Sequence, residues 1–291
     1  MQLYGRSKLI RLALLGFPLF IVASFIVVPL IITLIVSFWK KVGFSMAPAF
    51  SLKSYILFFQ GTRLEVLERT LFVAFTSTVL MLVIAYSIAY IVTKKVRPEF
   101  TRAFLFLFAA PFLVNYIIRT FAWSDILGRT GPINTFLFSV GITKAPLDWL
   151  LFSDFAVYLG LITAYMPFMI FPIWLSLSGI NERLFEASWM LGEAPLATFW
   201  RITLPLSMPG VLAAAIFGFV GAFGEVAISL ILGGTGYQLI GNTIQSSLDI
   251  LNYPLAAAIS SLITFLMLIL IGLWFRFFDI RLLLGKIMGR Q

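Results

Sequence analysis

The sequence predicts an all-α membrane protein with six transmembrane helices, and three observations lead to this fold class. Hydrophobic residues make up 61% of the 291 residues, charged residues make up 11%, and the mean hydropathy is +1.03. A water-soluble domain of this length needs far more polar surface. The charged residues also flank long apolar runs, which match the roughly 20 residues that a helix needs to cross a bilayer.

Six segments qualify as transmembrane helices. The first contains 27 uncharged residues after a basic N-terminus. This run is too long for the apolar region of a signal peptide, so we interpret it as a retained helix. The third is the weakest, because its uncharged run, Ala103–Ile118, has only 16 residues and is followed by Arg119. The predicted spans are 12–38, 70–93, 103–123, 155–177, 209–232 and 255–275, in one transmembrane domain over 1–291.

The net charge of +9 is attributed to membrane topology rather than to nucleic-acid binding, because the basic residues flank the apolar runs. With the N-terminus inside, the inner segments hold 13 Lys and Arg residues and the outer segments hold 8. Cytoplasmic loops carry the excess of basic residues, so both termini are predicted in the cytoplasm. The first outer loop, with five basic residues, argues against this orientation, whereas the last outer loop has none.

The composition excludes most kinds of enzyme. The chain has no cysteine and no histidine. Disulfide frameworks, zinc and haem sites built on these ligands, and Ser-His-Asp triads are therefore excluded. No carboxylate pair converges at membrane depth, which leaves an intramembrane enzyme as a weak alternative. No catalytic residue and no metal site are predicted.

The most informative segment is the loop 181–208, which interrupts the apolar sequence and is predicted in the cytoplasm. Acids at Glu182, Glu186 and Glu193 are four and seven residues apart, so on one helix they would share a face. Leu184, Ala187 and Leu191 would share another face. An amphipathic linker between two spans is the simplest interpretation. Interfacial helices usually carry Lys and Arg toward anionic lipid, however, so the acids favour a protein partner.

The middle of this loop predicts a turn between two short helices. Gly192 allows the backbone to reverse at little steric cost. Pro195 suits the first turn of a second helix. That helix is expected to contain Phe199, Trp200 and Ile202 and to end at Pro205, because proline removes a backbone donor.

The same loop resembles the EAA motif of ABC importer permeases. That motif contains Glu-Ala-Ala, a glycine after three intervening residues, and Ile-x-Leu-Pro after nine more. The matching positions are Glu186, Ala187, Ser188 in place of the second alanine, Gly192, Glu193 where a small residue often stands, Ile202, Leu204 and Pro205. In that family the loop forms coupling helices that dock on a separate ATPase. The resemblance therefore implies a type I ABC importer permease in which these residues couple to the ATPase.

The resemblance also implies the partners. The only Gly-Lys pair, Gly285-Lys286, lacks the upstream glycine of a phosphate-binding loop, so ATP and Mg are expected on the ATPase subunits and no cofactor on this chain. Six spans are half of the usual twelve, which implies a second, homologous permease subunit. An extracytoplasmic solute-binding protein would deliver the solute. The predicted location is the bacterial cytoplasmic (inner) membrane, in contact with lipid and not with nucleic acid.

A second resemblance concerns the solute. Several stretches resemble spermidine/putrescine permeases, namely Ile118–Trp123, Ile126–Gly128, Gly131–Asn134, Gly224–Val226, Leu232–Gly234 and Ile240–Asn242. This resemblance implies transport of a small cationic solute such as a polyamine. Permeases for ferric iron, opines and other amino-acid derivatives share parts of these stretches, so they stay as alternatives. A free-standing secondary transporter is a further alternative.

Four residues are candidates for the solute pathway. Glu225 is the single acid between Ile202 and Leu248, and a carboxylate at membrane depth is costly unless it is paired, hydrated or functional. Its alternative role is an ion pair with Arg119. Trp123 and Asp125 could receive an alkylammonium group through cation–π and ionic attraction, or could be an interfacial aromatic and a solvated acid. Tyr116 is a weaker candidate, as is Tyr165, because aromatic side chains at helical spacing usually pack.

Overall fold

A computed structural model describes residues 2–277, and this part of the chain is mostly helical. Its only strands form one antiparallel hairpin, in which Lys41 lies opposite Met46. The elements are α1 (Gln2–Ser37), β1 (Lys40–Val42), β2 (Ser45–Ala47), α2 (Lys53–Phe58), α3 (Arg63–Lys94), α4 (Pro98–Ala109), α5 (Tyr116–Leu127), α6 (Pro132–Ser139), α7 (Asp154–Ser178), α8 (Arg183–Met190), α9 (Pro195–Thr198), α10 (Leu204–Phe223), α11 (Ala227–Gly233), α12 (Ile240–Asp249) and α13 (Tyr253–Phe277).

The chain divides into two compact units. One combines Met1–Leu64 with Thr243–Leu270, and the other combines Glu65–Asn242 with Ile271–Gln291. Segment 278–291, which contains the predicted cytoplasmic C-terminus, lies outside the described residues. The single transmembrane domain over 1–291 stays a prediction.

Five helices within residues 2–277 are long and apolar enough to cross a membrane. They are Gly16–Ser37, Arg63–Lys94, Asp148–Ser178, Pro195–Phe223 and Tyr253–Arg276. The first, second, fourth and sixth predicted spans each overlap one of these helices. The count of six is not confirmed, because the third predicted span is divided and is not among these five helices. The fifth predicted span corresponds to Pro195–Phe223 but has different bounds.

The third predicted span, 103–123, is not one continuous helix. α4 ends at Ala109, a 3₁₀ turn covers Ala110–Leu113, and α5 begins at Tyr116. Between them, Val114 has an extended backbone with φ −104° and ψ 131°. The side chain of Asn115 then accepts a hydrogen bond of 2.8 Å from the backbone N–H of Ile117, which starts the new helix. Apolar composition alone did not reveal this break.

The fifth predicted span, 209–232, is displaced at both ends. Pro205 does not end a helix: it is the second residue of α10, directly after the π turn over Phe199–Thr203. α10 stops at Phe223, and Gly224–Val226 separate it from α11. Glu225 therefore lies at a helix break rather than inside a span.

α7 and α10 pack closely because α10 presents small residues at regular spacing. Gly210, Ala214, Gly218 and Ala222 are all buried and lie four residues apart. A methyl group on Gly210 would lie 2.3 Å from the carbonyl oxygen of Pro172 on α7. Spacing of this kind lets helix backbones approach within a membrane, where lipid supplies no hydrophobic force between helices. This close approach holds α7 and α10 together.

Candidate functional site

The loop 181–208 contains two short helices with a turn between them, but the second differs from the prediction. Phe199, Trp200 and Ile202 lie in a π turn after α9, not in a helix that ends at Pro205. α8 ends at Met190, and Gly192 turns the chain with φ +79°, a backbone conformation that favours glycine. α9 starts at Pro195, and a π turn over Phe199–Thr203 leads directly into α10. The loop is therefore continuous with a transmembrane helix.

Two polar contacts tie the short helices together. The hydroxyls of Ser188 and Thr198 are hydrogen-bonded at 2.8 Å, and both side chains are buried. Arg201 forms an ion pair with Glu193. Ser188, which replaces the second alanine of the EAA motif, thus has a structural role here.

Aromatic contacts attach the loop to α3. The ring of Phe199 meets the rings of Tyr86 and Tyr90 edge-on, with centroid distances of 5.8 and 5.9 Å. The ammonium of Lys94 lies 3.7 Å from the ring centroid of Phe185 on α8. A movement of the loop would therefore displace the side chains that it contacts at this end of α3.

The predicted acidic face is wrong for one of its three members. Glu186 lies on α8, whereas Glu193 follows the Gly192 turn and pairs with Arg201. The predicted apolar face is present and forms part of a groove of about 260 Å³, lined by Leu184, Ala187, Ser188, Leu191, Glu193, Ala197, Arg201 and Ile202. Large apolar side chains at its edge are unusually exposed, with Met190 at 90% and Leu191 at 84%. Exposed apolar surface of this kind marks a contact with a protein or a membrane.

Glu225 is buried and hydrogen-bonded at the break before α11. Its side chain is 3% exposed. Oε1 accepts hydrogen bonds from the backbone N–H groups of Val226 and Ile228, at 3.1 and 3.0 Å. Oε2 accepts one from the hydroxyl of Tyr165 on α7. A negative charge is favourable at this helix N-terminus, because the first N–H groups of a helix lack intrahelical acceptors.

The proposed ion pair between Glu225 and Arg119 is absent from the described residues. Arg119 instead donates through Nη1 to the backbone carbonyl of Thr163, at 3.3 Å, and its Nε is buried without a hydrogen-bond partner. Arg119 lines a cavity of about 400 Å³ together with Val114, Asn115, Tyr116, Ala164, Tyr165 and Phe168. The cavity thus lies at the break between α4 and α5.

The structure gathers some of the predicted pathway residues and separates others. Tyr116 lines the cavity, and Glu225 is connected to it through Tyr165. Trp123 and Asp125 lie further along α5 and do not line it. Two residues two positions apart on a helix do not face each other, so these side chains do not converge.

Tyr165 has a larger part in this site than its sequence pattern indicates, because its hydroxyl bonds Glu225. The signal that could have revealed it is Gly221, four residues before Glu225. A methyl group on Gly221 would lie 2.6 Å from two ring atoms of Tyr165, so only glycine leaves room for the ring. The glycine and the carboxylate are therefore both matched to this tyrosine.

A polar network that the sequence did not reveal fixes the segment between α11 and α12. Asn242 accepts hydrogen bonds from the hydroxyl of Ser229 and the N–H of Leu239, and donates to the carbonyl of Val226. Near the start of α3, the guanidinium of Arg69 lies 3.3 Å from a carboxylate oxygen of Asp154 and 4.1 Å from the ring centroid of Tyr237. Burial, with a smaller contribution from Asp154, raises the pKa of Tyr237 above its ordinary value.

Residues 81–283 match the family model described as binding-protein-dependent transport system inner membrane component. The chain belongs to this family. This inner membrane component is therefore a membrane transport subunit and not a catalytic enzyme. Its membership confirms the resemblance to ABC importer permeases.

Curated relatives of this inner membrane component include polyamine permeases. The spermidine/putrescine transport system permease protein PotB of Haemophilus influenzae is 33% identical over 254 residues, which cover 87% of this chain and 88% of the relative. PotB of Escherichia coli K12 is 35% identical over 230 residues, covering 77% and 82%. The molybdenum transport system permease protein ModB of Azotobacter vinelandii is 29% identical over 175 residues, covering 59% and 73%.

Solved structures support the fold. A bacterial ABC transporter involved in the import of the acidic polysaccharide alginate aligns with a TM-score of 0.74, covering 95% of this chain and 98% of the other at 16% identity. A second structure of a bacterial alginate transporter, in complex with a periplasmic protein bound to an alginate pentasaccharide, gives a TM-score of 0.73 and covers 93% of each chain. This inner membrane component thus has the fold of an ABC importer permease.

Proposed function

We propose that this permease forms half of the translocation pathway of an ATP-driven importer for a polyamine such as spermidine or putrescine. The observation that carries the proposal is the 33–35% identity to PotB permeases over most of the chain. The ModB relative favours a second candidate, which is another small solute such as an oxyanion. Amino-acid derivatives and ferric iron stay as alternatives from the sequence resemblance. A free-standing secondary transporter is disfavoured, because the family works with a binding protein.

Uptake by the assembled transporter tests the choice of solute. The complex is reconstituted in vesicles with its binding protein outside and ATP inside. We expect spermidine or putrescine, but not molybdate, to raise the ATPase rate and to accumulate in the vesicles. Stimulation by molybdate or ferric iron without stimulation by either polyamine would replace the proposed solute and leave the importer class intact.

The loop 181–208 is proposed as the coupling element. Its support is the groove beside α8 and the exposed side chains at its edge, which offer an apolar docking surface. Glu186, Ala187, Ser188, Gly192, Glu193, Ile202, Leu204 and Pro205 would form this contact with the ATPase, which carries ATP and Mg. Because α10 continues from the loop, a closing movement of the ATPase would reach the Glu225 break directly.

A charge at the edge of the groove tests the coupling. Leu191→Asp changes a side chain that is 84% exposed, so the chain should still fold. We expect weaker co-purification of the ATPase and at least roughly tenfold slower uptake, since a carboxylate would be desolvated in an apolar contact. Ile142→Asp, at a side chain 66% exposed outside this loop, is the matched control and should leave both unchanged. Normal uptake by Leu191→Asp would refute the docking role.

Glu225, Tyr116, Trp123 and Asp125 are proposed as pathway residues. A cationic amine in the cavity could replace the Tyr165 hydroxyl as the partner of Glu225, because the cavity borders Tyr165. Glu225→Gln should then raise the KM for the polyamine about tenfold or more, since an ionic partner is lost. Asp249→Asn, at an exposed acid on α12 that does not line the cavity, serves as the comparison. An unchanged KM in Glu225→Gln would assign Glu225 to structure alone.

The partner subunits are proposed by analogy with the family. A second, homologous permease would complete the pathway, and an extracytoplasmic binding protein would deliver the solute. Both termini are proposed in the cytoplasm of a bacterial cell, on the strength of the excess of basic residues in the inner segments. Reaction of single cysteines at Glu99 and Ile142, which are both exposed, with an impermeant thiol reagent in intact cells tests this. We expect labelling at position 142 and not at position 99.

A further inference from the structure

The segment 38–64, here called the basic hairpin segment, carries charges of one sign only. Lys40, Lys41, Lys53 and Arg63 are its four cations, and no aspartate or glutamate occurs before Glu65. This segment contains most of the basic residues that contradict the charge rule for topology. Two of these four cations make hydrogen bonds within the fold, which leaves the other two without an assigned role.

Two of the four cations are used within the same unit of the fold. Lys41 donates through Nζ to the carbonyl of Ile250, at 3.0 Å, in the turn before α13. Arg63 donates to the carbonyls of Leu57 and Gln60, at 2.8 and 3.0 Å. Lys40 and Lys53 are exposed, and their ammonium groups make no hydrogen bond or ion pair within the described residues.

The hairpin directly follows a helix long enough to cross the hydrocarbon core. The apolar part of α1, Gly16–Ser37, has 22 residues, and its most apolar stretch has no buried residue. At 1.5 Å per residue it is about 33 Å long, close to the thickness of the hydrocarbon core. β1 begins three residues after Ser37. The end of α1 is fixed to the hairpin segment, because the Ser37 hydroxyl bonds the Tyr55 hydroxyl at 2.7 Å.

Aromatic side chains project from this segment. Phe44, in the two-residue turn between β1 and β2, is 85% exposed, and Phe50, stacked on Phe38 at 5.3 Å, is 78% exposed. Exposed aromatic rings next to lysines, at the end of a transmembrane helix, are typical of segments that lie in the membrane interface. Docking of a soluble binding protein would cover these rings only intermittently, whereas lipid covers them at all times.

We propose that the basic hairpin segment is a lipid-anchoring element, in which Phe44 and Phe50 insert beneath the headgroups and Lys40 and Lys53 bind the phosphates of anionic phospholipids. The proposal does not depend on the solute. It also explains why this loop is basic: its lysines hold a surface anchor and do not report on the side of the membrane. Lys41 fixes the anchor to the turn before α13, so α1 and α13 are held at one depth.

Site-directed spin labelling can test the insertion, since the chain has no native cysteine. Phe44→Cys is labelled in the complete transporter, reconstituted in vesicles of phosphatidylglycerol and phosphatidylethanolamine. Collision rates of the label with oxygen and with a water-soluble nickel chelate report its depth. Phe25→Cys, on the exposed face of α1, gives the lipid reference, and Thr62→Cys gives the exposed loop reference.

We expect the ratio of oxygen to nickel collisions at position 44 to exceed that at position 62 at least about threefold, since oxygen concentrates in the apolar region of the interface. A ratio equal to that at position 62 would overturn the proposal. So would protection from both reagents, which indicates a protein contact, or protection that appears only when the binding protein is added.

The lysines are tested in the same background. Lys40→Gln with Lys53→Gln should lower the ratio at position 44 in anionic vesicles toward its value in phosphatidylcholine vesicles, because the attraction to anionic headgroups is lost. Lys144→Gln, at an exposed lysine outside the basic hairpin segment, is the matched control and should leave the ratio unchanged. An unchanged ratio in the double variant would refute the role of Lys40 and Lys53.

Discussion

Removal of the Tyr165 hydroxyl gives a sharp test of the buried carboxylate. Glu225 is 3% exposed and accepts three hydrogen bonds, so Tyr165→Phe leaves Oε2 without a donor. A hydrogen bond to a charged group contributes about 1.5–3 kcal/mol, and we expect the free energy of unfolding to fall by about 2 kcal/mol. Unfolding of the purified chain by sodium dodecyl sulfate in mixed micelles measures this change.

Glu225→Gln provides the matched variant for a double-mutant cycle. The amide oxygen must face the N–H groups of Val226 and Ile228, so the amide nitrogen faces Tyr165, whose hydroxyl can accept. This variant should lose the charge but keep three hydrogen bonds. The coupling energy between the two substitutions should be about 1–2 kcal/mol. An unchanged free energy of unfolding in Tyr165→Phe would refute the contact. Additivity of the two effects within about 0.5 kcal/mol would show that the charge of Glu225 does not strengthen it.

Three further predictions concern packing, the loop and pH. Gly210→Ala should lower the free energy of unfolding by about 1–3 kcal/mol, because its methyl group would overlap α7. Gly16→Ala has open space around it and should not lower this free energy. The same micelle titration compares the two variants. Thr198→Val should reduce uptake per ATP hydrolysed, because it removes the bond to Ser188, and unchanged coupling would contradict this. The pKa of Tyr237 is raised in the folded chain, so its contribution to stability is complete below the ordinary value of 10.0 and is lost as the pH rises further. Above pH 10.0, the free energy of unfolding of Tyr237→Phe should therefore fall less steeply with pH than that of the native chain.

The long helices were predictable because the bilayer imposes a minimum apolar length, which composition reveals directly. The helix breaks were not. Val114 and Asn115 interrupt a span through a local capping bond, and α10 ends before Glu225 although the apolar sequence continues. Both breaks depend on particular side chains meeting backbone groups, which hydropathy does not register.

The candidate site shows the same division. The spacing of the loop motif predicted the turn at Gly192, because positive φ is a local property of glycine. The prediction of one shared acidic face was wrong, because that same turn separates Glu186 from Glu193. The role of Tyr165 needed tertiary information, because it lies 60 residues from its partner Glu225.

The π turn at Phe199–Thr203 fixes the rotational phase of α10 relative to the loop. Such a turn contains one residue more than the α-helical path it replaces. Because the extra residue is absorbed within the turn, deleting one residue there would restore a regular helix and leave the small residues of α10 against α7. Deleting one residue from the regular part of α10 before Gly210 would instead rotate the residues that follow by about 100°, because an α-helix has 3.6 residues per turn. The π turn is therefore the position at which related sequences can differ in length by one residue and still keep the contact between α7 and α10.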